Sequence, residues 1–229
     1  MSKKSIFNWA LFVCILGLAV VCFLSIYNDI AFDEAKKERE AIVIERLMKL
    51  RDAEEKFKAS HSGLYCGDID SLVDWVRDSM AVDKVIKEGE LTDDQLEAGL
   101  TEQMAVAQGL IKRDTVWVKA SEILGGSSAD SLKLIPIGKP GGVFEIRKDL
   151  KYNTKSQEWD QLCEIRASLD DYMDGMDAKH IKSLKSDLDK RNKSKSAWTT
   201  EGEDEDLMWY GLRIGDLKDA GNKMAGNWE

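Results

Sequence analysis

The sequence predicts an α+β protein whose N-terminal transmembrane helix continues into a long amphipathic helix, followed by a mixed, mainly antiparallel sheet with short helices. Three observations support this fold class. Residues 7–27 contain no Asp, Glu, Lys or Arg, and no Gly or Pro interrupts residues 28–61. Beyond residue 62, short alternating stretches typical of strands are interspersed with helix-type patterns.

The apolar segment 7–27 has the length of a membrane anchor, because about 20 residues cross a hydrocarbon core of roughly 30 Å. Trp9 and Tyr27 stand near its ends, where aromatic rings favour the headgroup level. The alternative is a cleaved signal peptide, whose apolar run is only about 7–15 residues and ends at a small-residue cleavage site. The run here is longer and such a site is poorly placed, so we predict a retained anchor.

Charges beside the segment predict its orientation. Lys3 and Lys4 precede it, and the first charged residues after it are Asp29, Asp33 and Glu34. The positive-inside rule then leaves the N-terminus in the cytoplasm, although Lys36, Lys37 and Arg39 weaken the asymmetry. We therefore expect a single-pass inner-membrane protein. It has a cytoplasmic tail (1–6), a transmembrane helix (7–27), an extended juxtamembrane helix (28–61) and a periplasmic α+β domain (62–229).

The juxtamembrane helix carries one apolar stripe, because its apolar residues recur at spacings of three and four. These residues are Val43, Leu47, Leu50, Ala53 and Phe57. Packing on the protein's own domain is favoured, since the stripe spans too few heptads for a coiled coil. Contact with a partner remains the alternative, and it makes Val43, Leu47 and Leu50 candidate partner-binding residues. Gly63 is expected to end the helix.

The elements after residue 62 follow from local patterns. Asp68 or Asp70 can cap a second helix, and Thr92 with Gln95 three residues later resembles a capping box. Further predicted elements are strands in VDKVIKEG, DTVWVKA, 132–137, VFEIRKDL, QLCEIRASLDDYM and LMWYGLRIGDL, a helix in AKHIKSLKSDLDKR and a loop over 192–206.

Composition and motifs argue against catalysis and against nucleic-acid binding. The net charge of −9 repels phosphate backbones. The chain contains no P-loop, GxGxxG, GxSxG or HExxH motif, and its two histidines, His61 and His180, are expected at the surface. A nucleophilic pair of Cys66 with His61 stays open. We predict no catalytic residue, no cofactor and no enzymatic activity.

Other candidate sites are weaker. Four carboxylates, Asp170, Asp171, Asp174 and Asp177, could bind Ca²⁺, but they lack EF-hand spacing and a solvated acidic surface is favoured. Cys66 and Cys163 could form one disulfide or remain two thiols, and both alternatives stay open.

Two tryptophans and four hydroxyl residues are candidates for surface roles. Trp198 and Trp228 stand in polar segments, where an exposed indole is typical of a partner contact. Four Asp-Ser/Thr-apolar triplets resemble the O-glycosylation sequon of Bacteroidota periplasmic proteins. Their acceptors are Ser71, Ser79, Thr115 and Ser131.

Part of the chain resembles a known family. The stretch ERLMKLRDAEEKFKASHSGLY followed by DIDSLVDWV is similar to the region after the anchor in type IV pilins and type II secretion pseudopilins. The resemblance covers about residues 7–77 and rests on Leu47, Leu50, Arg51, Ala53, Phe57, Gly63, Tyr65, Leu72 and Val73. Prepilins carry a Gly before the processing site and a Glu inside the mature helix, and this chain has neither at those places.

The whole chain, including GLIKRDTVWV and the terminal AGNWE, resembles a family of uncharacterised, singly membrane-anchored envelope proteins of Bacteroidota. That resemblance implies a diderm envelope. We therefore expect a pseudopilin-like structural or assembly component that contacts other envelope proteins as a homo- or hetero-oligomer. The alternative is an anchored periplasmic ligand-binding or sensing module.

Overall fold

The computed structural model describes residues 3–89, 91–92, 95, 99, 101–126, 128–153, 157–196, 209–218 and 224–228. The predicted fold class is confirmed: a long N-terminal helix is followed by small, mainly antiparallel sheets and short helices. The strands form two separate sheets, where the sequence predicted one mixed sheet.

Helix α1 runs without a break from Lys3 to Ser60, so the apolar segment and the amphipathic segment form one helix. Neither Gly nor Pro interrupts the second segment, and its ion pairs include Lys36–Glu40 and Lys49–Glu45 at the i,i+4 spacing. At the C-terminal end the Gly63 amide bonds the Lys58 carbonyl at 2.9 Å, with Gly63 in the left-handed region at φ 86°. The predicted end of the helix is therefore confirmed.

The contacts divide the chain into two compact units. The first unit contains Met1–Ile44, Pro136–Gly142 and Ser168–Gly211, and the second contains Glu45–Ile135, Val143–Ala167 and Leu212–Glu229. Both units take part of α1. This division differs from the predicted single domain over 62–229, because Pro136–Gly142 and Ser168–Gly211 group with the first part of α1 and not with the rest of that domain.

In the second unit, Asp68 caps helix α2 (Ile69–Asp78) by accepting a hydrogen bond from the Ser71 amide at 2.8 Å. Strand β1 (Met80–Glu88) pairs antiparallel with β2 (Lys112–Lys119), and the short helix α3 (Glu102–Ala107) lies between them in sequence. Two 3₁₀ helices, Ala120–Leu124 and Ala129–Lys133, pack against α2, which buries Leu72, Val73 and Val76.

The second sheet has the order β3-β4-β5. Strand β3 (Glu145–Asn153) pairs antiparallel with β4 (Glu158–Ser168) without a register shift, and β5 (Gly211–Gly215) lies on the other side of β4. Glu164 of β4 is buried and forms ion pairs with Arg213 at 3.1 Å and Arg147 at 3.7 Å. Because both arginines neutralise this carboxylate, the sheet can bury a charge that would otherwise be costly.

The first unit joins the first part of α1 with the 136–142 loop, the short helix α4 (Leu169–Tyr172) and helix α5 (Ala178–Ser196). The Lys139 amide bonds the Asp171 carbonyl at 2.7 Å, and this approach is so close that a side chain at Gly138 would clash with the Asp171 and Tyr172 backbone. Gly138 also has φ 94°, which favours glycine.

Three local predictions were wrong. Residues 132–137 form no strand: a 3₁₀ helix is followed by a single bridge between Leu134 and Val143. The SLDDY part of the predicted strand QLCEIRASLDDYM turns into α4, because Ser168 caps the Asp170 amide. Residues 192–196 continue α5 instead of opening the predicted loop, whose remainder lies outside the described residues.

Candidate functional site

The apolar stripe that α1 carries beyond residue 27 lies inside the fold. Val43, Leu47 and Leu50 are fully buried inside the protein, as is Ala53. Packing on the protein's own fold, the favoured interpretation, accounts for this stripe. The alternative is corrected, since a partner cannot contact these three side chains without unfolding the protein.

An exposed aromatic pair lies where strand β3 ends and strand β4 begins. Tyr152 stands opposite Trp159, and their rings meet edge to face at a centroid distance of 5.4 Å. Leu150, two residues before Tyr152, lies on the same face of the strand. The residues Leu150, Tyr152 and Trp159 are 58%, 47% and 67% exposed, and we call them the aromatic hairpin end.

The exposure of this end has a structural cause. On the same face, Ile165 and Cys163 of β4 are buried. The loop after α1 covers that part of the face: the Tyr65 amide bonds Gln161 Oε1 at 2.6 Å, and Lys148 Nζ bonds the Cys66 carbonyl at 2.8 Å. The loop contacts the two strands at Lys148 and Gln161. Leu150, Tyr152 and Trp159, nearer to the turn between the strands, stay exposed.

The same loop is fixed from the other side by Glu54 of α1, which is fully buried. Its carboxylate accepts hydrogen bonds from the Cys66 amide at 2.9 Å and the Gly67 amide at 3.4 Å. Burial raises the pKa of Glu54, and these two bonds and the nearby Lys148 partly offset that rise. Glu54 is thus a structural carboxylate that satisfies two backbone donors.

Cys66 and Cys163 are both free thiols in this structure, which corresponds to the unpaired alternative. Cys66 Sγ donates to the Asp68 carbonyl at 3.4 Å. Burial raises the pKa of both thiols, strongly so for Cys163, and Glu54 raises both further. Since the thiolate is the reactive form, neither environment activates a nucleophile.

His61 does not face Cys66 as a base. Its Nδ1 lies 2.9 Å from the Phe57 carbonyl, and its ring stacks on Phe57 at a centroid distance of 3.8 Å. Trp75 meets both rings edge to face. The histidine therefore closes an aromatic cluster at the end of α1.

Three of the four candidate calcium ligands have separate partners in the structure. Asp170 pairs with Lys185 at 2.6 Å and Asp171 with Lys139 at 3.7 Å, while Asp177 caps α5 through the Lys179 and His180 amides. Within the described part of the chain, no group of three or more His, Cys, Asp or Glu is placed to hold a metal. Calcium binding stays the less favoured alternative of the prediction, because Asp170, Asp171 and Asp177 bind separate partners.

His180 has a structural position that the sequence did not indicate. Its Nε2 lies 2.9 Å from Asp29 Oδ1, its Nδ1 lies 3.3 Å from Asp177 Oδ1, and its ring stacks on Phe32 at 4.9 Å. Hydrogen bonds to Asp29 and then Asp177 raise the pKa of His180. The start of α5 is thereby attached to α1 two residues beyond Tyr27, the last residue of the apolar segment.

Further bonds hold this attachment in place. Arg39 donates to the carbonyls of Tyr172 and Asp174 at 3.0 and 2.7 Å, and the buried Tyr172 hydroxyl bonds Glu40. Burial raises the pKa of Tyr172, and the Glu40 carboxylate adds to the rise. The set Asp29, Phe32, Arg39, Glu40, Tyr172 and His180 is called the juxtamembrane clamp.

The remaining predicted residues differ in exposure. Trp198 lies outside the described residues, and Trp228 is half-buried against Gly226. Of the four sequon residues only Ser71 is exposed; Thr115 lies within β2, and the Ser131 hydroxyl bonds the Ser128 carbonyl at 2.6 Å. Ser79 is half-buried at the end of α2. Their glycosylation stays a prediction.

One described helix, α1, is long and apolar enough to cross a membrane, and its apolar window has no part buried inside the protein. Comparison with known proteins adds no relative: the chain matches no protein-family model, no curated protein and no solved structure.

Proposed function

We propose that this protein is a membrane-anchored structural or assembly component of a bacterial envelope complex. In this proposal α1 inserts residues 7–27 into the inner membrane, the N-terminus faces the cytoplasm, and both units face the periplasm. The protein acts by contact with other envelope proteins, and no catalytic step or cofactor is assigned to it. The pilin-like stretch after the anchor and the resemblance to Bacteroidota envelope proteins support this proposal.

The observation that carries the proposal is the aromatic hairpin end. Tyr and Trp supply large, rigid contact area and are enriched at the energetic centres of interfaces. Here an edge-to-face pair, with Leu150 beside it, is exposed on a regular hairpin. Since the stripe of α1 is buried, we assign the partner contact to this end of β3–β4.

The test is a cross-link from native membranes. A photoreactive phenylalanine analogue in place of Trp159 is expected to give one discrete adduct with another envelope protein or with a second copy of the chain. Trp159→Ala should reduce recovery of the same complex by roughly tenfold or more, since an anchoring Trp contributes about 2 kcal/mol or more. Trp117→Ala is the matched control, because Trp117 is a half-exposed strand Trp in the other sheet.

Three results would contradict the proposal. They are a lone monomer in mild detergent without any adduct, a complex whose yield is unchanged by Trp159→Ala, and equal losses for Trp159→Ala and Trp117→Ala. The first would favour an anchored ligand-binding module. A reporter fused after residue 229 tests the orientation separately, since it should be active only in the periplasm.

A further inference from the structure

Helix α5 has a charge opposite to that of the rest of the protein. It contains seven Lys or Arg residues and two Asp over its 19 residues, whereas the whole chain has a net charge of −9. Ile181, Leu184 and Leu188 are half-buried on one side of it. The opposite side exposes Lys179, Lys182, Ser183, Ser186, Asp187, Lys190 and Arg191. Four exposed basic side chains against one exposed carboxylate make this face attract anionic surfaces, although the whole chain is acidic.

The juxtamembrane clamp fixes the level of this helix relative to the anchor. His180 contacts Asp29 and Phe32, which follow Tyr27 by two and five residues on an unbroken helix. At about 1.5 Å per residue these contacts lie roughly 3–8 Å beyond the end of the apolar segment. A headgroup layer extends roughly 5–7 Å beyond the hydrocarbon on each side. The first turn of α5 therefore lies at headgroup level when residues 7–27 span the bilayer.

The lysines of this turn are available at that level. Lys179 and Lys182 flank His180 and are exposed, whereas Lys185 pairs with Asp170 and Lys190 with Asp187. Aliphatic lysine stems let the ammonium groups reach phosphate oxygens without moving the helix. Either orientation of the anchor leaves α5 at this level, since α5 follows α1 on the same side of the membrane.

We propose that the first turn of α5 lies in the headgroup layer of the membrane into which α1 inserts, and that Lys179 and Lys182 bind the phosphates of anionic phospholipid headgroups. The inference rests on the anchor of the proposed function but not on the partner contact. Its consequence is positional: with α5 on the lipid surface, the first unit is held against the bilayer by two attachments, the anchor and the basic helix.

The experiment measures amide hydrogen exchange of the full chain in lipid nanodiscs. One disc contains phosphatidylcholine alone, a second contains added phosphatidylglycerol, and a third has phosphatidylcholine with glycerol phosphate free in solution. We expect exchange over residues 178–191 to slow only in the second disc, by about fivefold for each lysine engaged. Raised salt should remove this protection, because exposed charges are screened.

Variants distinguish binding by Lys179 and Lys182 from a general electrostatic attraction of the protein to anionic lipid. Lys179→Gln with Lys182→Gln should abolish the lipid effect, and the same positions changed to Arg should keep it. Lys112→Gln with Lys119→Gln in β2 is the control of equal charge, and it should leave the effect intact. Unchanged exchange over residues 168–177 shows that the first unit is still folded.

Each other outcome overturns the inference. Equal exchange in all three discs means that α5 is only a solvated face, and protection by free glycerol phosphate means a soluble anion site. A lipid effect that survives the double Gln change means that other residues carry it. Failure of the chain to enter nanodiscs would instead count against the anchor, so the two proposals fail in different ways.

Discussion

Two parts of one helix use apolar residues in opposite ways. Between residues 7 and 27, α1 is apolar on every side and its large side chains are exposed, whereas from Val43 to Ala53 it has one stripe and the stripe is buried. A helix that is apolar all round requires an apolar surrounding, and a single stripe requires only one packed surface. In the described protein the stripe has a packed surface to bury against, but the large side chains of residues 7–27 have no protein packed around them. This difference is compatible with a membrane around residues 7–27.

The strongest way to break this comparison is to place charge in the first part. Leu16→Arg with Val20→Arg should move most of the chain out of the membrane fraction, because each Arg near the bilayer centre costs about 2.5–3.5 kcal/mol of insertion. Alkaline extraction of membranes followed by blotting measures this, with Leu16→Ala and Val20→Ala as the control. A double-Arg chain that stays membrane-bound, or a wild-type protein whose mass lacks the first residues, would contradict the anchor.

A second change sharpens the comparison by deleting the same side chain in both parts. Leu50→Ala should lower the free energy of unfolding by roughly 2–5 kcal/mol, because Leu50 is fully buried and a cavity remains. Leu18→Ala should change it by less than about 0.5 kcal/mol, since Leu18 has no packed protein neighbours to lose. Urea unfolding of the full chain in detergent measures both. Equal effects would mean that the stripe is not part of the core.

Local signals explain which elements the sequence predicted. The uninterrupted run of helix formers predicted α1, a cap at Asp68 or Asp70 predicted the start of α2, and alternation in DTVWVKA predicted β2. These depend on neighbours within a few residues. The strand expected over 132–137 was wrong because an apolar run of that length suits several backbone conformations, and pairing partners far away in sequence decide between them.

The candidate sites depended more on long-range partners. Nothing in the pattern around Glu54 shows that its carboxylate bonds the amides of Cys66 and Gly67 instead of facing water. The four aspartates after Ser168 are close together in sequence, but Asp170 and Asp171 form ion pairs with lysines from other segments. Likewise, alternation relates Leu150 to Tyr152, but only the β3–β4 register places Trp159 on the same face and only the structure shows which residues the loop covers.

The smallest expected effect is on the titration of His180, which contacts α1 at Asp29, between the apolar segment and the buried stripe. Asp29 and Asp177 raise the pKa of His180 above its ordinary 6.5, so the folded state binds this proton more tightly than the unfolded state. The stabilising contribution is therefore fully present below pH 6.5 and is lost as the pH rises through the folded-state pKa. His180→Gln should remove this part of the pH dependence of unfolding.

The chain has only two histidines, so isotope-labelled histidine makes the titration directly visible by NMR in nanodiscs. The His180 resonance, assigned by its loss in His180→Gln, should titrate above pH 6.5 and move toward it in Asp29→Asn. If Asp29→Asn leaves the titration midpoint of His180 unchanged, α5 is not attached beside the end of the apolar segment. In that case no packing contact would mark the end of the apolar segment, and the headgroup-level position of α5 would no longer be supported.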